Sequence, residues 1–297
     1  MRGIVLAAGR GGRLRGVTGE LPKCLTRIGS ATLIERQIGE LDELGVTPVT
    51  VVVGYRANAV RRVCDRCARR AGHGQLDFVR NARFASTNSL YSLWLARHLL
   101  GDGFVVLNCD VLFHRQLLED LLTARYEDAL LMDSRASRAS RLARAPQAPR
   151  EPDPPYSDEE MTIRVRGGRV VAMAKALTNA DGENIGIAKF GRAGASVLIE
   201  ELNRFVGVGA RSDWLPAAFE AFCRRRPLHV VESRGFPWIE IDTPDDYWRA
   251  CSEVLPAIDA INTSRQRPQA ALDTAAVAGV RGGRVDTREQ RENAHHV

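Results

Sequence analysis

Apolar strand-like runs alternating with amphipathic helical segments predict an α/β fold: a doubly wound, mostly parallel Rossmann-like sheet with a small β-hairpin subdomain. Three observations carry this. Residues 2–8, 49–53, 76–79 and 104–108 are short runs rich in Val, Ile, Leu and Phe, the composition of strands buried on both faces. Helical patterns separate them at 33–44, 59–70 and 89–100, and strand–helix–strand alternation makes successive strands parallel through right-handed crossovers. Two β-rich runs flank Gly167 and Gly168 in MTIRVRGGRVVAMAK, the pattern of a hairpin.

The remaining elements follow in order. A helix is predicted near 115–125 and a strand at 129–133, after which SRASRASRLARAPQAPREPDPP (134–155) is dominated by Arg, Ser, Ala and Pro. Such a segment cannot bury a core and is expected to be a mobile insertion. Order returns with the hairpin, a strand in ENIGIAKF, helices at 193–202 and 214–224, strands at 228–232 and 238–241, and a helix from Pro244. From Thr263 onward the chain is polar and aperiodic. The expected organisation is one domain over 1–262 and a disordered tail over 263–297.

With 297 residues, 44% of them hydrophobic, the chain can bury a large core. It contains no apolar run of the ~20 residues that spans a bilayer, and the apolar stretch Ile4–Ala8 is too short for a signal peptide. A soluble, cytoplasmic protein is expected. The six cysteines show no framework spacing. Cys64 and Cys67 form a CxxC with only His73 as a nearby further ligand, too few for zinc. A net charge of +6 admits nucleic acid as a partner, but the arginines are dispersed rather than gathered beside aromatics. A phosphate-rich small substrate explains the same bias. Only Lys23, Lys175 and Lys189 are lysines, which suggests positions needing a compact point charge.

The chemistry gathers in three places. In LAAGRGGRL, spanning Leu6, Ala7, Ala8, Gly9, Gly11, Gly12 and Arg13, a strand runs into glycines whose backbone N–H groups can approach phosphate oxygens, with Arg13 and Lys23 supplying charge. The spacing fits neither the Walker loop nor GxGxxG, and glycines after a strand also serve as plain turns. VVLNCD delivers Asp110 to the end of an apolar strand, where open α/β sheets bind ligands; a helix cap near His114 is the alternative. WIEIDTPDDY delivers Asp242 in the same manner. Two strand-end acids suit a hard cation bridging phosphates.

LAAGRGGRL followed by PKCL resembles the signature of the sugar-phosphate nucleotidyltransferase superfamily, with Gly12 where that family more often has Ser or Thr. The resemblance implies the nucleotidyltransferase fold, transfer of a nucleotidyl group with release of pyrophosphate, and Arg13 and Lys23 as the catalytic cations. NARFASTNSLYSL and EIDTPDDY are similar to the choline-phosphate and phosphonate cytidylyltransferase branch. On that likeness the substrates are CTP and a small phosphate or phosphonate acceptor, and Mg²⁺ is held by Asp110 and Asp242. Asn81, Thr87 and Asn88 join the nucleotide site, while Ser89, Tyr91, Lys175, Glu183, Asn184, Lys189 and Trp238 form the acceptor side. A guanylyl- or uridylyltransferase acting on a sugar or cyclitol 1-phosphate is the alternative, and a non-catalytic nucleotide-binding relative a further one. Homodimerisation is compatible with the sequence; neither nucleic acid nor membrane is expected as a partner.

Overall fold

The structure is a computed structural model describing residues 1–71, 76–144, 156 and 158–264. The chain divides into a unit of residues 1–257 and a second of residues 258–297. Of the second unit the described part, 258–264, is helical.

The first unit begins with β1 (Arg2–Ala7), a 3-10 turn at Gly12–Leu14, α1 (Arg15–Thr18), and the short ribbon of β2 (Arg27–Ile28) and β3 (Ala31–Thr32). Then come α2 (Leu33–Glu43), β4 (Val49–Val53), α3 (Ala57–Ala71), β5 (Leu76–Arg80), α4 (Ser89–Leu95) and β6 (Phe104–Asn108). These are followed by β7 (Val111–Phe113), α5 (Arg115–Thr123), β8 (Ala129–Ser134) and α6 (Arg135–Arg144). The hairpin β9 (Met161–Arg166) and β10 (Arg169–Lys175) leads to β11 (Gly182–Phe190). Then follow α7 (Arg192–Gly207), α8 (Leu215–Cys223), β12 (His229–Glu232), β13 (Trp238–Glu240), α9 (Pro244–Arg249) and a π-helical segment at Ala250–Val254.

Among the described residues, nine strands form one sheet in the order β5-β4-β1-β6-β11-β8-β12-β10-β9. The first four are parallel, as the βαβ reading predicts. Beyond β6 the sheet is mixed: β11 runs antiparallel to both β6 and β8, and β12 returns parallel to β8. The parallel character is therefore confined mainly to the half that receives the glycine loop. Alternate residues of β1 enter opposite layers, Ile4 and Leu6 on one face and Val5 and Ala7 on the other, so the strand is buried on both faces. Leu90, Leu198 and Phe222 cover the first face; Ile38, Val60 and Leu117 cover the second. Burying each large side chain, such as Phe104 or Phe190, contributes about 1.5–3 kcal/mol.

The expected insertion is partly ordered, because residues 135–144 form α6. Its Arg138 side chain is buried, donating to Glu183 at 2.7 Å. The rest of that insertion, 145–155, and the tail beyond Ser264 lie outside the described residues. No described helix is long and apolar enough to cross a membrane.

Candidate active site

A cavity of about 490 Å³ opens at the carboxyl ends of β1 and β6, where parallel α/β sheets bind ligands. The glycine loop forms one wall. Gly11 has a φ of 68° and packs directly on Lys23; a Cβ there would stand 2.6 Å from the lysine Cβ. The loop and the lysine are thus one packed unit, and any residue other than glycine at position 11 would separate them.

Lys23 is buried, and its Nζ donates to Asp110 Oδ2 at 2.7 Å and to Asp242 Oδ1. Burial pulls the ammonium pKa down, but Asp110, Asp242 and Glu240 together outweigh it and hold the group charged well above the ordinary lysine value. Arg13 Nη2 donates to Asp242 Oδ2 at 2.6 Å. On the outer wall, Glu159 receives Lys175 Nζ at 3.0 Å and Arg13 Nη1 at 3.4 Å.

A small ribbon explains why acids so distant in sequence meet. β7 pairs antiparallel with β13, Val111 opposite Glu240, and Ile241 N donates to Asp110 O at 3.0 Å. Gln37, buried on α2, donates from Nε2 to the carbonyls of Asn108 and Val111, both at 2.9 Å. Those two bonds fix the turn that carries Asp110. On the other side Asp246 completes a capping box with Thr243, and its carboxylate receives the backbone N–H of Asp242 at 3.0 Å, which fixes the second acid. Asp110 is not a helix cap: α5 is capped by His114, whose Nδ1 accepts from Gln116 N at 3.1 Å.

Asp110, Glu240 and Asp242 each offer a carboxylate oxygen, and the three lie within 4.8 Å of one another. Burial, with repulsion from Asp110 and Asp242, pushes the Glu240 carboxyl up to about 8, while Lys23 opposes the shift. Asp110 Oδ1 is buried with no hydrogen-bond partner, a cost that a cation would remove. An all-oxygen, anionic donor set with one orphaned oxygen fits a hard divalent ion.

Of the predicted site residues, Leu6, Ala8, Gly9, Gly11, Gly12, Arg13, Lys23, Asn81, Thr87, Asn88, Ser89, Asp110, Lys175, Asn184 and Asp242 line this one cavity. Several do so with their polar groups committed. Asn81 is buried and spends both amide hydrogens on Thr87 Oγ1 (3.0 Å) and Ser92 Oγ (3.1 Å). It builds the 81–88 loop. Ser89 Oγ receives the Leu215 N–H at 2.9 Å, tying α8 to α4. Asn88 caps α4 by accepting the Ser89 N–H at 2.9 Å.

Five expectations are corrected. Ala7 faces the core between β1 and its covering helices. Tyr91 is packed in the other core layer and stacks on Trp94, the fate of an aromatic on the buried face of a helix. Glu183 is occupied by Arg138. Lys189 stands at the wrong end of the sheet: it pairs with Val105 and Ala129, and its Nζ donates to the carbonyls of Leu122 and Ala124 at 3.1 and 2.8 Å. In β11 the useful end is Asn184, five residues earlier. Trp238 is buried in the core, opposite Phe113. Two aromatics do reach the cavity, Phe84 and Trp214; the latter is half exposed at the start of α8 with Lys175 Nζ 5.5 Å from its ring centroid. Glu240, Glu159, Phe84 and Trp214 also line the cavity without having been assigned to it from sequence. For Glu240 a signal existed: in a strand, residues 240 and 242 lie on one face.

A glycine loop packed on a buried lysine, facing converging carboxylates at the carboxyl edge of the sheet, is the apparatus of a nucleotidyltransferase. Residues 3–205 match the model of the MobA-like NTP transferase domain, and the chain belongs to that family. It is 33% identical over 126 residues to the choline-phosphate cytidylyltransferase of Streptococcus pneumoniae, 42% of this chain and 52% of the relative. It is 29% identical over 245 residues to the bifunctional IPC transferase and DIPP synthase of Rubrobacter xylanophilus, 82% of this chain and 49% of the relative. The matches thus span about half the length of these two relatives. In fold it resembles the inositol-1-phosphate CTP transferase from T. maritima, with a TM-score of 0.68 at 21% identity, covering 87% of this chain and 94% of that one.

Proposed function

We propose that the chain transfers CMP from CTP to a small phosphate or phosphonate acceptor, with release of pyrophosphate. The observation that carries this reading is the Lys23 ammonium held between Asp110 and Asp242 beneath the glycine loop, in a family of NTP transferases with a cytidylyltransferase among its relatives.

An acceptor oxygen attacks the α-phosphorus in line; that P–O bond forms as the α–β bridging P–O bond breaks, and its electron pair leaves on pyrophosphate. The acceptor oxygen is already anionic near neutral pH, so no general base is required. Gly9, Gly11 and Gly12 present backbone N–H groups to the phosphates, and Arg13 and Lys23 neutralise charge that builds on them. Asp110, Asp242 and Glu240 would hold Mg²⁺, which when bound supplies further charge neutralisation and orients phosphate oxygens. Asn88 Nδ2 has no partner among the described residues, and it supplies the amide that reads the pyrimidine edge. Asn81 positions that loop. Lys175, Asn184 and Trp214 form the acceptor wall.

The Glu159–Lys175 pair over the face of Trp214 favours an acceptor that carries an ammonium group, since a carboxylate and an aromatic face already hold one there. An enzyme consuming CTP works where nucleoside triphosphates are, which places it in the cytoplasm. The direct test is ³¹P NMR of the product with phosphocholine or 2-aminoethylphosphonate: a new phosphoanhydride signal and one pyrophosphate per acceptor consumed support the reading. Pyrophosphate release without an anhydride product would refute it.

A further inference from the structure

We propose that the chain carries a second anion-binding pocket, lined by Arg56, Arg62 and Arg80 and separated from the catalytic cavity by Phe84, whose ligand is a small multiply charged phosphate ester. This does not rest on the choice of CTP.

The pocket, about 440 Å³, lies where β4 and β5 end. Arg80 is the last residue of β5, Arg56 precedes α3, and Arg62 stands on its second turn. The lining contains no Asp or Glu. Arg56 pairs with Glu20 at 3.2 Å, whereas Arg62 and Arg80 have no carboxylate partner among the described residues. Three guanidinium groups around one concavity repel one another, and a polyanion converts that repulsion into attraction. Their planar forks match phosphate oxygens in pairs. The first turn of α3, which has no acidic residue, also lines the pocket and adds the positive end of a 15-residue helix.

The pocket is joined to the catalytic loop by close packing. Phe84 lines both cavities. A Cβ on Gly54 would stand 2.6 Å from Ala8 O and 2.7 Å from Phe84 Cβ, so β4, the glycine loop and the 81–88 loop touch at that residue. Tyr55 N donates to Ala8 O at 3.0 Å, and the Arg10 guanidinium stands 5.4 and 5.6 Å from the rings of Tyr55 and Phe84. An anion that fixes Arg56 and Arg80 therefore fixes the backbone on either side of the nucleotide loop. Its occupancy changes nucleotide affinity, and by linkage the nucleotide changes its affinity equally.

The test is calorimetric titration of the full chain with fructose 1,6-bisphosphate, in wild type, Lys23→Ala and the double variant Arg62→Gln/Arg80→Gln. The expected result is one equivalent bound by both wild type and Lys23→Ala, and an affinity at least tenfold weaker in the double variant. Because both arginines are exposed, the double variant should melt at the wild-type temperature without ligand, which separates loss of the pocket from loss of the fold. Equal affinity in wild type and the double variant, or binding abolished by Lys23→Ala, would overturn the proposal. A parallel arm with phosphatidic acid vesicles distinguishes a lipid headgroup: vesicle binding that needs Arg62 and Arg80, without bisphosphate binding, would also overturn it. Finally, saturating bisphosphate should shift the nucleotide Kd severalfold in wild type and not in the double variant; an unchanged Kd in wild type would refute the coupling.

Discussion

Lys23 donates to Asp110 at 2.7 Å from inside the cluster of carboxylates that fits a divalent ion, so the lysine and the metal would draw on the same carboxylates. Replacing Lys23 by Ala leaves Asp110, Glu240 and Asp242 without their buried cation. Turnover should fall by at least about a hundredfold, since charge neutralisation contributes several kcal/mol. In addition, millimolar Mg²⁺ should raise the Tm of Lys23→Ala more than that of wild type. An equal rise in both proteins, measured by scanning calorimetry, would show that lysine and metal do not share ligands.

Asp110→Asn and Asp242→Asn remove one charge each from the same cluster. Each should lower kcat by about two orders of magnitude or more and flatten the dependence of Tm on Mg²⁺. The fold should survive, because both acids sit at the rim of the sheet rather than in its core. Near-normal turnover in either variant removes that residue from the metal site.

Gln37 touches no substrate, yet its two bonds to the carbonyls of Asn108 and Val111 hold the turn that carries Asp110. Gln37→Leu leaves both carbonyls unpaired in the core and should cost about 2–3 kcal/mol of stability. It should also lower kcat more than it raises the KM for nucleotide, because the nucleotide loop is intact. A stability loss with unchanged kcat would mean that the turn holds without Gln37.

Glu40 gives the expected pH dependence. Burial, with the nearby Glu43 charge adding to it, pushes its carboxyl from 4.5 to about 7, and its Oε2 is buried without a partner. The folded state therefore binds more protons than the unfolded state between those values. As far as this group is concerned stability is fully present below pH 4.5 and is lost as pH rises through about 7, by on the order of 3 kcal/mol. Glu40→Gln should abolish that decline. Chemical denaturation at pH 5 and pH 8 compares the two proteins, and an unchanged difference between them would contradict the assignment.

The strands of the parallel half were legible because they are continuous apolar runs ended by glycines or polar residues. The boundaries 49–53 and 104–108 coincide with β4 and β6. The ribbon of β7 and β13 was less legible: Val111–Phe113 is only three residues long, and its pairing is with a segment more than a hundred residues away. Periodicity carries no information about such partners. The same blindness explains Lys189. Its rarity as a lysine and the family resemblance point to the acceptor side, but which end of a strand faces the ligand is fixed by sheet direction, and β11 runs antiparallel to β6. Likewise Trp238 and Tyr91 have the right residue type on the buried face of their elements, whereas Trp214 reaches the cavity from a helix start that has no pattern to announce it.

The proposed transfer of CMP from CTP at the Lys23–Asp110–Asp242 site can be read out as kcat/KM for pyrophosphate release. The measurement is made with Mg²⁺ and each of CTP, UTP, GTP and ATP, crossed with phosphocholine, 2-aminoethylphosphonate and a set of sugar and cyclitol 1-phosphates. CTP should exceed every other nucleotide by at least about tenfold, a gap of roughly 1.4 kcal/mol, and Asn88→Ala should narrow the gap between CTP and the purine nucleotides. Turnover with GTP or UTP more than about tenfold above that with CTP would contradict the choice of nucleotide, and no turnover with any pair would contradict the transferase reading itself.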